Sequence, residues 1–305
     1  MSAPVTIAIP CYNSGTTIAT AVESALRQDW PNLEVIVVDD GSSDDSREKL
    51  RAFGDRAHLI EAAHRGGNAA RNLALREAKG DWVQFLDADD LLLPAKISRQ
   101  LAGAGDEDVI FSPVLFEQDG QRTASAIDPR RSISALWLAW ELPQTGGCLW
   151  RREPLLRIGG WNEATPCCQE YELYSRAIQA GLRFRFAPDA GAVYRVWSEE
   201  TLCRKDTPKL IEVRTGLYRD FIEWRRKVGD PTGDEVQLAG RACFEMARTL
   251  AKTDPAGAVR YHAGRRREGL IHLAGPAAPV SYRIAYSLLG FSAAEKLARA
   301  VRRKS

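Results

Sequence analysis

Short apolar runs and helical periodicities alternate along the first hundred residues. Val5–Ile9 is an apolar run closed by Pro10, after which Ile18, Ala21, Val22, Ala25 and Leu26 recur on one helical face, with Ser14 to Thr17 placed to cap it. Leu33–Val38 is a second run, rich in β-branched residues and ended by Asp39-Asp40-Gly41. Asp44 to Phe53 reads as a helix, His58–Glu61 as a short strand, and Asn68 to Ala78 as a helix stopped by Gly80. Trp82–Leu86 is the next strand, broken by Asp87-Ala88-Asp89-Asp90. Strands separated by helices of about ten residues predict βαβ units and a mainly parallel sheet. In such sheets ligands bind beyond the carboxyl ends of the strands. Tyr12-Asn13, Asp39-Asp40 and Asp87 to Asp90 all fall there.

The stretch from 108 to 200 is less regular. Strands are expected near Val109–Phe116, Gly147–Arg151, Arg183–Phe186 and Ala192–Trp197, and helices near Ser134–Glu141, Glu153–Ile158 and Glu170–Ala180. Beyond 205 the pattern turns helical, with segments at 208–228, 233–252, 256–268 and 292–303 and an antiparallel pair turning at Asp254-Pro255.

Charge adds a division that hydropathy does not show. Residues 205–305 hold 20 Lys and Arg against 11 Asp and Glu, net +9, whereas residues 1–204 hold 22 against 29, net −7. That contrast predicts a boundary near 205, between a domain over 1–204 and a basic helical region. No window offers eighteen uninterrupted apolar residues, which excludes a conventional membrane span. Met1 to Pro4 leads directly into the first strand and reads as no signal peptide. Six cysteines without CxxC spacing read as reduced thiols of a cytoplasmic protein.

Taken singly, the polar clusters have ordinary explanations. Asp87-x-Asp89 presents carboxylates suited to a divalent metal that also holds a pyrophosphate, and equally suits an acidic turn capping the helix after Pro94. Asp39-Asp40-Gly41-Ser42-Ser43 is either a capping turn or a carboxylate able to accept from a base N–H, over which Tyr12 could stack. Arg71, after Gly66-Gly67-Asn68, suits phosphate or a surface ion pair.

Their order and spacing together are more specific. Val5 to Asn13, Val35 to Ser42, Arg71-Asn72 and Phe85 to Asp90 closely resemble the family 2 glycosyltransferases over roughly residues 4–200. The resemblance implies a GT-A fold, a Rossmann-like mainly parallel sheet flanked by helices, and an inverting enzyme using a nucleotide-sugar. It implies nucleotide contacts from Pro10, Tyr12, Asn13 and Asp40, a phosphate or ribose role for Arg71, and a divalent metal (Mn2+ or Mg2+) at Asp89 with Asp87 beside it. A UDP-sugar is the expected donor.

Inversion by single displacement needs one carboxylate to take the acceptor proton. The family places that base in a Glu-Asp pair opening a helix; here Gly159-Gly160-Trp161-Asn162-Glu163 is followed by Gln169-Glu170, which assigns the role to Glu170, with Glu172 next in line. Glu in place of Asp lengthens the arm by roughly 1.5 Å, which matters where reacting atoms sit about 3–3.5 Å apart. A second departure is Trp197, which stands where many relatives carry a metal- or diphosphate-binding histidine. These departures keep open a scaffold that binds nucleotide-sugar without turnover. A dehydrogenase is excluded because the first strand leads into Pro10-Cys11-Tyr12-Asn13-Ser14-Gly15 and no GxGxxG, and a sugar-1-phosphate nucleotidyltransferase would need a glycine-rich basic loop there. The basic end, with Leu297, Ala298 and Val301 on one face, suits either an anionic membrane surface and a lipid-carried acceptor of cell-surface polysaccharide synthesis, or packing on the protein. No pattern supports nucleic acid.

Overall fold

A computed structural model describes residues 2–196 and 206–302, which divide into two compact units. Trp197 and Cys203 lie outside the described residues.

The first unit comprises Met1–Ile133 and Glu141–Glu200. Its strands begin with β1 (Val5–Cys11), β2 (Leu33–Asp40), β3 (His58–Ala62) and β4 (Trp82–Phe85), separated by helices α1 (Ile18–Leu26), α2 (Ser46–Arg51) and α3 (Gly67–Glu77). β5 (Leu91–Leu92), α4 (Lys96–Leu101), β6 (Val109–Phe111), β7 (Val114–Gln118) and β8 (Gln121–Ala124) follow. A seven-stranded sheet runs β10-β6-β9-β4-β1-β2-β3, where β9 is Cys148–Arg151 and β10 is Phe184–Phe186. β1 lies parallel to β2 and β4, and β2 to β3, while β9 runs antiparallel to β4 and β6. The sheet is therefore mainly parallel. β1 and β2 are apolar on both faces because both faces are covered: Ile7, Ile9, Val35 and Val37 pack with Ile18 and Val22 on one face, and the alternate residues Ala8, Ile36 and Val38 are buried as well.

The expected strand at Val109–Phe116 is two strands in two sheets. Ser112-Pro113 interrupts it, and β7 pairs instead in a four-stranded sheet of order β5-β11-β7-β8, with β11 at Ala192–Arg195. A proline cannot donate to a ladder, so the chain changes sheet there. β5 is only two residues long and β8 is exposed and polar, so neither stands out as a run.

The second unit holds Ser134–Trp140 and the chain from Thr201. Helix α5 (Ile133–Leu138) supplies Trp137, which stacks on Phe221 at 4.4 Å, and the carbonyl of Leu138 accepts from the Tyr218 hydroxyl. α6 (Arg152–Arg157) and α7 (Gln169–Gln179) belong to the first unit; α8 (Thr207–Val228), α9 (Gly233–Thr253) and α10 (Pro255–Arg267) belong to the second. Asp254 ends α9 and caps α10, accepting from Gly257 N at 2.8 Å, with Pro255 fixing the first turn. α11 (Val280–Arg302) begins twelve residues before the expected helix at 292 and is broken at Gly290, whose φ is 76°. No described helix is long and apolar enough to cross a membrane.

Candidate active site

The parallel strands carry their polar ends to one edge of the sheet. The loops after β1 and β2 are sewn together by Asn13, whose φ of 48° turns its side chain back: Oδ1 accepts from Ser43 N at 2.8 Å, while Asn13 N donates to Ser42 Oγ at 2.9 Å. Pro10 lies on β1 opposite Val38, and Tyr12, 47% exposed, stacks on His64 at 4.1 Å. Asp40 is buried. Its Oδ1 accepts from Arg65 N and its Oδ2 from Gly66 N, both at 2.8 Å. His64 Nδ1 stands 2.9 Å from Oδ2 and 3.0 Å from the Asp40 carbonyl, two acceptors that assign the proton to that nitrogen. Gly41 has φ +80°, and a Cβ there would sit 2.9 Å from His64 N. His64 was not among the sequence-derived candidates. A lone histidine after a strand carries no pattern; only the fold brings it to Asp40 and Tyr12. Asp39 points elsewhere, its Oδ2 taking Arg47 Nε at 2.5 Å and Ser42 N at 3.2 Å.

Arg71, on the first turns of α3, is buried behind the acidic turn. Nη2 donates to Asp87 Oδ1 at 2.6 Å, Nη1 to Asn68 Oδ1 at 3.0 Å and Gln169 Oε1 at 3.3 Å, and the guanidinium covers the Trp161 ring at 4.7 Å. Burial works against its charge, but Asp87, Glu170 and Asp89 around it hold its pKa above the ordinary arginine value. Both terminal nitrogens are engaged by protein partners, so Arg71 orients Asp87.

Asp87 to Asp90 form a turn closed by Asp90 N to Asp87 O at 3.1 Å. Asp90 accepts from Arg195 N at 2.9 Å, and Arg195 Nε donates to the Asp89 carbonyl at 2.5 Å, so the end of β11 fastens the turn. Burial, then the neighbouring carboxylates, push the pKa of Asp89 up and that of Asp90 well up, against the pull of Arg195. Crowded carboxylates held in this way fit a divalent cation, which would relieve their repulsion. Among the described residues no three His, Cys, Asp or Glu side chains form a cage, so the donor set suits a metal completed by phosphate oxygens.

Glu170 stands in the first turn of α7, after Cys168 in the left-handed region at φ 57°. Thr145 Oγ1 donates to its Oε1 at 2.8 Å. Thr145 is itself buried in a 3-10 turn, Thr145–Gly147, whose carbonyls at Gly146 and Gly147 accept from Gln84 Nε2 and Gln100 Nε2 at 3.0 and 2.9 Å. Thr145, like His64, escaped the sequence reading, because its partner lies 25 residues away with no shared motif. Glu172 is committed elsewhere: both its oxygens accept from Arg176 at 2.7 Å, and Arg176 also holds the carbonyls of Ile158 and Gly160. The Gly159–Glu163 loop is bound to α3. Asn72 Nδ2 donates to Trp161 O at 2.8 Å and Glu163 Oε1 at 3.0 Å, and Trp161 N donates back to Asn72 Oδ1 at 2.8 Å. Thus α3 touches both the acidic turn and the approach to α7.

A doubly covered, mainly parallel sheet with a nucleotide-type edge and an acidic turn after its fourth strand defines the GT-A class of glycosyltransferases. The glycosyl transferase family 2 model matches residues 6–158. A succinoglycan biosynthesis protein of Rhizobium meliloti, ExoO, is 30% identical over 289 residues, 84% of this chain and 80% of its own. The chain belongs to glycosyl transferase family 2. An Escherichia coli UDP-Glc:alpha-D-GlcNAc-diphosphoundecaprenol beta-1,3-glucosyltransferase, WfaP, is 42% identical over 110 residues, 35% of this chain and 44% of its own. The chain likewise spans 42% of an uncharacterized glycosyltransferase of Rickettsia felis, at 26% identity and 70% of this chain. In fold it is similar to Staphylococcus aureus TarS 1-349 in complex with UDP-GlcNAc, with TM-score 0.69 and 17% identity over 97% of this chain and 92% of that one. It is also similar to a Pyrobaculum calidifontis mannosyltransferase in complex with GDP-Man and Mn2+, with TM-score 0.60 and 20% identity over 97% and 87%.

Proposed function

We propose that this chain is an inverting glycosyltransferase that moves a sugar from a UDP-sugar to an acceptor hydroxyl, the acceptor being carried on a lipid in bacterial surface polysaccharide or glycolipid synthesis. The observation that carries this reading is the clustering of Asp87, Asp89 and Glu170 around one buried guanidinium, Arg71. A UDP donor is favoured by the Asp40 carboxylate at the β2 end and by the UDP-containing names of similar proteins. The nucleotide-binding half is proposed over residues 1–107 and the acceptor half over 108–204.

Asp40 receives the base edge beside Tyr12, whose ring offers a stacking face, and Pro10 and Asn13 shape the same loop. Asp89 and Asp87 are the residues that would hold a divalent cation, Mn2+ or Mg2+, whose chemistry is neutralising charge on the departing diphosphate. Glu170 accepts the proton of the attacking hydroxyl as it acidifies in the transition state. Thr145 occupies Oε1 and leaves Oε2 for that proton. The new bond forms opposite the leaving nucleoside diphosphate, so one carboxylate suffices. A lipid-carried acceptor places the protein at the inner face of a membrane, with the basic C-terminal region as the contact and the catalytic unit in the cytoplasm.

A second reading, a nucleotide-sugar-binding scaffold without turnover, draws on Gln169-Glu170 and Trp197 in place of the family pattern. Calorimetric titration of UDP-sugars and GDP-mannose, with Mn2+ and with EDTA, followed by a donor-hydrolysis assay, separates the two. Metal-dependent binding lost in Asp89→Ala and kept in Glu170→Gln, with hydrolysis only when Glu170 is intact, is the expected outcome. Binding indifferent to metal and to Asp89, with no hydrolysis, would leave the scaffold.

A further inference from the structure

Helix α11 is apolar on two faces, and among the described residues only one of them is covered. Tyr282, Phe291 and Ala294 are buried in the core of the second unit with Phe244, Ala247 and Ala251. The opposite side carries Val280, Ile284 and Leu288 at i, i+4 and i+8, exposed by 63%, 55% and 76%; Leu289 and, beyond the break at Gly290, Leu297 and Val301 are exposed as well. Among the described residues, these six stand against three other exposed large apolar side chains, Tyr12, Val228 and Val259. Scattered exposed leucines need no explanation, but a row along one helix marks an interaction surface.

The charges on the same helix identify the partner. Arg283 and Lys296 are exposed and Arg299 is half-buried. The sole acid in α11, Glu295, is buried and paired with Arg248 at 2.6 Å, so the open side of the helix presents no negative charge. Apolar side chains flanked by cations, with no anion among them, complement an anionic lipid surface, where the apolar row enters the acyl boundary and the cations meet headgroups. A second copy docked isologously would bring two copies of the same cationic side chains to one interface, with no exposed acid of α11 to offset them.

We infer that the uncovered face of α11, centred on Ile284 and Leu288, is a docking surface for an anionic lipid bilayer. This deepens the proposed membrane contact by moving its apolar centre from the basic end of the chain to the segment before Gly290. The side chains involved are exposed, so replacing them leaves the core of the unit intact.

The test is flotation of the full chain with phosphatidylglycerol-containing or pure phosphatidylcholine vesicles, for wild type, Ile284→Ser/Leu288→Ser and Arg283→Glu/Lys296→Glu. Wild type is expected to float with the anionic vesicles, in a manner weakened by salt, and each double variant to partition at least about tenfold less. Unchanged circular dichroism melting of the variants shows that they are folded. Absence of wild-type binding, or binding unaffected in the serine variant, overturns the inference. So does sedimentation equilibrium showing a dimer that the serine variant abolishes, since a second copy then covers the face. UDP titration on the same proteins reads the proposed donor site separately: loss of transfer chemistry leaves the vesicle result standing, and loss of flotation leaves the donor site standing.

Discussion

Glu170 is held by a threonine that nothing in its neighbourhood of the chain announces. Because Thr145 donates to Oε1 at 2.8 Å, Thr145→Val removes the hydrogen bond with little change of volume and frees the carboxylate to rotate. Turnover should fall about tenfold to a hundredfold while the KM for donor holds, and Thr145→Ser should recover most of it, measured as initial rates over a donor series. Lys96 makes a different residue-scale prediction. Its side chain is buried, its Nζ meets no hydrogen-bond partner among the described residues, and burial pushes its pKa down to about 7. The unfolded chain therefore binds the proton more readily than the folded one between the lysine's ordinary 10.5 and about 7. Stability should rise with pH across that window. Lys96→Met should stabilise by on the order of 1–3 kcal/mol near neutral pH, an advantage that shrinks toward pH 10 in urea titrations. A Lys96→Met gain that persists unchanged at high pH would refute the assignment.

At the scale of elements, α3 is the piece that joins the two halves of the proposed site. Its first turns hold Arg71 against Asp87, and Asn72 grips the loop that leads to α7. That loop depends on Gly160, whose φ is +65° and where a Cβ would come within 2.6 Å of Asn72 Oδ1. Gly160→Ala is expected to cost about 1–3 kcal/mol of stability and to lower turnover as well, because Glu170 follows the loop; chemical denaturation and rate assays on one preparation check both. The βα alternation of the first hundred residues was legible because covered parallel strands are continuous apolar runs. The short strands Leu91–Leu92 and Gln121–Ala124 were not, since pairing partners supplied by the fold, not their own composition, make them strands. Residues 280–290 were hidden for the opposite reason: their apolar positions fall on two faces, which blurs the periodicity of a one-sided helix.

For the whole molecule, saturating nucleotide should act as a folding ligand. With UDP at about 100 times Kd the native state gains about 2.7 kcal/mol, so the melting temperature of the protein should rise by several degrees, and Asp40→Ala should abolish the rise. A rise that survives in Asp40→Ala would place the nucleotide elsewhere, and an unchanged wild-type midpoint at high UDP would show that the native state does not bind it.

The charge division near 205, the parallel sheet and the acidic turn were legible in the sequence, because they depend on composition and local periodicity, while Asp40, Asp89 and Glu170 became candidates through the resemblance of their motifs to the family 2 glycosyltransferases. What tertiary structure decided was the pairing between distant segments. Arg71, to which the resemblance gives a phosphate or ribose role, is hydrogen-bonded to Asp87 and Gln169. Glu172, next in line as a base, is taken by Arg176 one turn along the same helix, an i,i+4 pair that lies within the spacing of the sequence itself. His64 and Thr145 entered the site from loops without a signature. Hydrogen bonds between residues 24 to 98 positions apart leave no trace in spacing, since their geometry exists only once the sheet has brought the strand ends to one edge.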